Sequence, residues 1–90
     1  MAKYRKKPIE VEAIQYDATK YREAAEWAKG LIGNKPSKII EVAEDERIFI
    51  STAGGNMTAY HGDFIIFGLG DEFYSVPPEI FHASYEEVSP

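Results

Sequence analysis

The spacing of apolar and polar positions changes period along this chain. In "IEVEAIQY" (residues 9–16), Ile9, Val11 and Ala13 alternate with Glu10 and Glu12, the period of a half-buried strand, and Pro8 stands ahead as an opener. Past Ala13 the phase blurs, because Ile14 and Tyr16 fall on the other face; a bulge, or a strand end covered on both sides, accounts for that. In "DATKYREAAEWAKG" the period lengthens, with Tyr21, Ala24, Ala25 and Ala28 at helical spacing and charged residues opposite or flanking them. Asp17 or Thr19 is placed to cap this helix, and Gly30 to end it. A stripe of alanines lets it lie close against a sheet, with Tyr21 and Trp27 at its margins.

After a loop at "LIGNKPS" (31–37) the remainder reads as strand. "KIIEVA" and "RIFIST" flank an acidic turn "EDE", "RIFIST" and "MTAYH" flank "AGGN", and "DFIIFG" and "EFYSV" flank "LGD". Pro77 and Pro78 break the ladder, "PEIF" makes one helical turn, and "HASYEEV" returns as a closing strand. These elements predict an α+β domain over residues 1–90. One helix in the N-terminal half packs on a curved, mostly antiparallel sheet, or a small barrel, of six to seven short strands.

Composition narrows the function classes. The chain is 44% hydrophobic and 28% charged, as in ordinary folded domains. It has no cysteine, which removes disulfides, thiolate metal sites and cysteine nucleophiles. No apolar run approaches a membrane span, and "MAKYRKKP" leads into a segment too charged for a signal sequence, so the expectation is a cytoplasmic protein. The net charge of −5 is unevenly spread: Lys3, Arg5, Lys6 and Lys7 are four of ten basic residues, leaving six against fifteen acidic ones from residue 8 onward. That formal −9 body repels phosphate backbones, which argues against nucleic acid as a partner.

Candidate chemistry is sparse. Neither "GLGDE" nor "AGGN" leads into a helix or is followed by Lys-Ser or Lys-Thr, so these glycines read as hairpin turns rather than phosphate cradles. His61, Asp63 and His82 offer metal-ligating atoms, but at no short ligand spacing; a metal-dependent enzyme using them is the least favoured of three readings. Asp63 reads as a turn former, its carboxylate accepting backbone amides beside Gly62. No serine has a nucleophile elbow around it. The reading is a non-enzymatic protein with no cofactor.

Aromatic residues crowd the C-terminal half: Tyr60, Phe64, Phe67, Phe73, Tyr74, Phe81 and Tyr85. In Phe64-Ile65-Ile66-Phe67 both faces of a strand are apolar, so each needs cover, from the chain itself or from a homodimer or other partner. Tyr60, Phe64, Phe67 and Tyr74, with Tyr4 and Arg5 of the basic arm, are the candidate contact residues. The alternative use of Tyr4, Arg5 and Tyr74 is a small-ligand pocket for a nucleotide signal.

"KYRKKPIEVEAIQY", "MTAYHGDFIIFG" and "EFYSVPPEIFHASYE" together resemble a group of small proteins encoded by bacteriophages and prophages. Order and spacing agree at Tyr4, Arg5, Pro8, Gly62, Asp63, Ile65, Ile66, Gly68, Glu72, Phe73, Tyr74, Pro78, Phe81, Tyr85 and Glu86, with a variable stretch at about 17–50. The chain departs at Asp71, where that group usually has Gly. The resemblance implies a protein made in the cytoplasm of an infected or lysogenic bacterium. It brings no activity with it, but small accessory phage proteins often bind host proteins or sequester a defence signal. The expected role is therefore contact with a host or phage protein, by a homodimer or small oligomer.

Overall fold

A computed structural model describes residues 1–5, 7–32, 39–42, 47–52 and 55–88. In chain order these form β1 (Glu12–Gln15), a 3-10 turn (Ala18–Lys20), α1 (Tyr21–Ile32), β2 (Ile39–Val42), β3 (Arg47–Thr52) and β4 (Gly55–Ala59). Then come β5 (Phe64–Phe67), a second 3-10 turn (Leu69–Asp71), β6 (Phe73–Val76) and α2 (Pro78–Ser84). The strands make two antiparallel three-stranded sheets, ordered β1-β5-β6 and β2-β3-β4. No helix among the described residues is long and apolar enough to cross a membrane.

Register decides which side chains meet. Ile14 stands opposite Ile65, which stands opposite Ser75, while Phe67 stands opposite Phe73; these rows share the inner face of the first sheet. In the second sheet Ile48 faces Ala59 and Ile50 faces Met57. The core gathers Ile48, Ile50, Ala59, Ile65 and Phe73 with Tyr16, Ala18, Ala24 and Ala28, all buried. Helix α1 brings its alanines close, as the stripe predicts, and sets Trp27 edge-on to Phe73 at 5.8 Å. Strand β6 packs against β3 and β4, and the Ser75 hydroxyl donates to the Thr58 carbonyl at 3.0 Å, tying the sheets together.

Several expectations need correction. The strands divide into two sheets and close no barrel among the described residues. The helix does not stop at Gly30; it runs to Ile32, which brings Leu31 against the core. There are two helices rather than one, because "HASYEEV" is not a strand: α2 continues to Ser84, and Tyr85 to Val88 have no regular structure. Phe81 and Tyr85 lie one helical turn apart and stack on each other at 5.1 Å, which holds the segment in a helix. The turn "EDE" and Gly54 of "AGGN" lie outside the described residues, as does most of the "LIGNKPS" loop.

The blurred phase after Ala13 is not a break in β1, whose alternation is regular: Ile14 and Tyr16 turn to the core, Ala13 stands on the other face beside Ile66, and the bulge lies on the partner strand. Tyr16 donates its N–H to the Asp63 carbonyl (2.7 Å) and accepts from the Gly62 N–H (2.8 Å), so two residues stand against one. This is a bulge whose first residue, Gly62, has φ 93°, a conformation open to glycine. The bulge is fed by a tight turn in which the Asp63 N–H bonds the Tyr60 carbonyl (3.0 Å).

Asp71, between Gly70 and Glu72 in the turn before β6, has φ 55°. Aspartate tolerates the left-handed region better than most residues, and other L side chains are strained there by about 1–2 kcal/mol. Asp71→Ala should therefore lower stability by about 1 kcal/mol, while Asp71→Gly should be neutral or stabilising. Denaturant midpoints of the two variants check this, and equal losses in both would show that the side-chain contacts of Asp71 outweigh its backbone.

Candidate binding surface

The outer face of the first sheet is built by the other parity of the same strands. Ala13, Ile66 and Tyr74 form one row, and Gln15, Phe64 and Val76 the next. Helix α2 folds back over this face. Phe81 stacks flat on Phe64, with ring centroids 3.8 Å apart and planes 1° apart, and His82 meets Phe64 edge-on at 5.3 Å. Ile66 is fully buried yet stands outside the inner core, on this helix-covered side. The second face of the Phe64–Phe67 run is thus covered by the chain's own C-terminal helix, and no second chain is needed to cover it.

Tyr74 extends this cluster. Its hydroxyl lies 3.4 Å from that of Tyr85, and burial, followed by this hydrogen bond, pushes its phenol up to about 12. Gly68 makes room for the ring: a Cβ there would sit 2.9 Å from both Cε1 and the hydroxyl of Tyr74. Gly68→Ala should cost about 1–3 kcal/mol by overpacking. Truncating the ring in Tyr74→Ala should abolish most of that cost, so a double-mutant cycle checks the contact. Additive losses would exclude it.

A polar cluster lies where β1 passes into α1. Asp17 accepts from the Thr19 N–H (2.9 Å) and hydroxyl (2.6 Å), which hold its carboxyl below the usual range, the hydroxyl contributing most and nearby His61 less. That stabilisation is present above the ordinary carboxyl value and is lost as pH falls through the lowered one. His61 Nδ1 accepts the Ala18 N–H at 3.1 Å, so a loop side chain helps satisfy the start of the helix. Asp63 accepts the Tyr60 N–H at 2.9 Å, the turn-fixing role read from its sequence. Gln15, Tyr16, Asp17, Lys20, Glu23, His61 and Gly62 line a shallow groove of about 380 Å³ whose charges are mixed in sign. Among the described residues no three His, Asp or Glu side chains gather to hold a metal ion. His61 and Asp63 serve the turn, and His82 lies on α2 against the aromatic stack.

The six candidate contact residues do not form one surface. Phe64 and Phe67 point to opposite faces of β5: Phe64 lies under Phe81, and Phe67 packs inside against Phe73 at 4.8 Å. Tyr74 belongs to the α2-covered face. Tyr60 is exposed on the turn before β5, and Tyr4 and Arg5 are exposed on the arm. Tyr4 is 95% exposed, whereas Tyr74 is half-buried beside Tyr85. Sequence reasoning did not assign His61 to the helix start, since a lone imidazole accepting an amide carries no spacing signature. Compared with known protein families, characterised proteins and solved structures, the chain finds no match.

The arm, like Tyr60, Ile80 and Val88, is presented to solvent. Residues 1–5 and 7–10 are exposed, with Ile9 44% exposed, and they carry Lys3, Arg5 and Lys7. No hydrogen bond or ion pair ties them to another described residue.

Proposed function

We propose that this chain is a non-enzymatic accessory protein of phage or prophage origin that acts by binding a host or phage protein, with the N-terminal arm as its contact element. The observation that carries this reading is the arm itself. Tyr4 and Ile9 hold large apolar surface in water beside three or more cations, ahead of a folded body of opposite charge. Tyr and Arg are the residue types that concentrate binding energy when a partner buries them. The aromatic cluster under α2 reads instead as structure, since its rings stack on one another.

The test immobilises the full chain, the Tyr4→Ala variant and the Arg5→Glu variant, and exposes each to lysate from a bacterial host, with and without phage infection. The reading expects a protein retained by the parent chain and reduced at least tenfold by either variant, each still folded by circular dichroism. Retention unchanged by both substitutions, or nothing retained above background, would overturn it.

A further inference from the structure

Strand β1 lies at an edge of its sheet, and the hydrogen bonds of Tyr16 fix which way its backbone points. Tyr16 directs both its N–H and its carbonyl at the β5 side. Alternation along a strand then directs the groups of Ile14 and Glu12 the same way, and turns those of Ala13 and Gln15 outward. No described residue meets these outward groups, and the Gln15 side chain is turned back to the Gly62 carbonyl at 3.1 Å. Such an edge is a template for another strand. The other edge of the sheet, β6, already packs against the second sheet.

The arm extends this edge in the same parity. Continued as strand, it turns the groups of Val11, Ile9 and Lys7 outward, while Pro8 falls in phase with Glu12 and Ile14. The N–H that Pro8 lacks is therefore one that an outward ladder does not use. Charge then selects the occupant and its direction. Lys3, Arg5 and Lys7 precede Glu10, Glu12 and Asp17 on one segment. Two such segments set antiparallel about Ile9 lay Lys3, Arg5 and Lys7 of each copy alongside residues 11–15 of the other, which carry Glu12 and no cation, whereas a parallel pairing would put the cations side by side.

We propose that two copies of this chain join edge to edge through β1 and the arm, antiparallel about a twofold axis near Ile9, forming one six-stranded sheet ordered β6-β5-β1-β1-β5-β6. Each copy presents the same surface to the other, as a closed twofold contact requires. The proposal rests on the reading of the arm as a contact element and names a second copy as one thing it contacts.

Light scattering and sedimentation equilibrium of the full chain test it. The expected result is a mass twice the 10.1 kDa of one chain at micromolar concentration, with dissociation strengthened severalfold by high salt. Val11→Pro removes an outward N–H ahead of β1 and should give a monomer with an unchanged thermal midpoint at low concentration. The double variant Arg5→Glu, Lys7→Glu should weaken association at least tenfold at low salt. A parent chain that stays monomeric at micromolar concentration, or a Val11→Pro variant that still dimerises, would overturn the proposal. A monomeric parent whose lysate capture still depends on Tyr4 defeats the dimer and leaves the arm reading standing. A dimer broken by Val11→Pro, alongside capture indifferent to Tyr4 and Arg5, defeats the external partner and leaves the dimer standing.

Discussion

Replacing Phe73 by alanine is expected to lower the unfolding free energy by about 3–5 kcal/mol, the cost of removing a fully buried phenylalanine and leaving a cavity. Phe73 is completely buried at the start of β6, where the first sheet abuts the second. It is the shared neighbour of Trp27 on α1 (5.8 Å) and Phe67 on β5 (4.8 Å). Its removal therefore loosens the helix, the first sheet and the junction between the sheets together. Collapse around the gap is restricted because the fully buried residues of α1, Ala24 and Ala28, have no side-chain length to swing into it. Small domains have total stabilities of about 5–15 kcal/mol, so this loss should leave a visible unfolded population at physiological temperature. Phe73→Leu separates shape from burial: it keeps most of the apolar volume and should lose about half as much. Urea unfolding followed by Trp27 fluorescence reads both variants, since the indole lies against the altered ring. A loss under 1 kcal/mol in Phe73→Ala would mean that this junction does not organise the core.

Where the determinants of structure are local, the sequence is easily read. The alanine stripe of α1, the β5–β6 hairpin and the Gly62-Asp63 turn all follow from neighbouring residues, and the structure has each of them. Two features depend on distant contacts. Which strands share a sheet is decided by β1 pairing with β5, across α1 and the whole second sheet, and nothing in the pattern of either strand names the other. The C-terminal helix is ambiguous for a sharper reason. Phe81, Ala83 and Tyr85 alternate as a strand would, yet Phe81 and Tyr85 are also one helical turn apart. Seven residues are too few for a helix to persist alone, so packing must decide, and the ring that decides it is Phe64. The candidate contact residues divided for a related reason. Aromatic composition identified rings, but strand parity, which sends Phe64 outward and Phe67 inward, assigns their roles.

Phe81→Ala should carry the second large effect, about 2–3 kcal/mol, smaller than at Phe73 because Phe81 is only half-buried. Three contributions combine: the flat stack on Phe64 at 3.8 Å, the stack on Tyr85 at 5.1 Å, and the cover that α2 gives to Ile66. Alanine is the better helix former of the two by a few tenths of a kcal/mol, so a loss of stability cannot come from helix propensity. Ile80→Ala, on the same helix at a residue 54% exposed, serves as the control and should change stability by less than about 0.5 kcal/mol. The two substitutions should also differ in kind. In Phe81→Ala the amide of Tyr85, bonded to the residue 81 carbonyl, should exchange with solvent much faster than the amides of β5, because α2 can lift away while the inner core stays packed. Lifting α2 bares Phe64 and Ile66, so binding of an apolar dye should rise in that variant alone. If Phe81→Ala and Ile80→Ala proved equally mild, the stacking of α2 would not be what covers the outer face of β5.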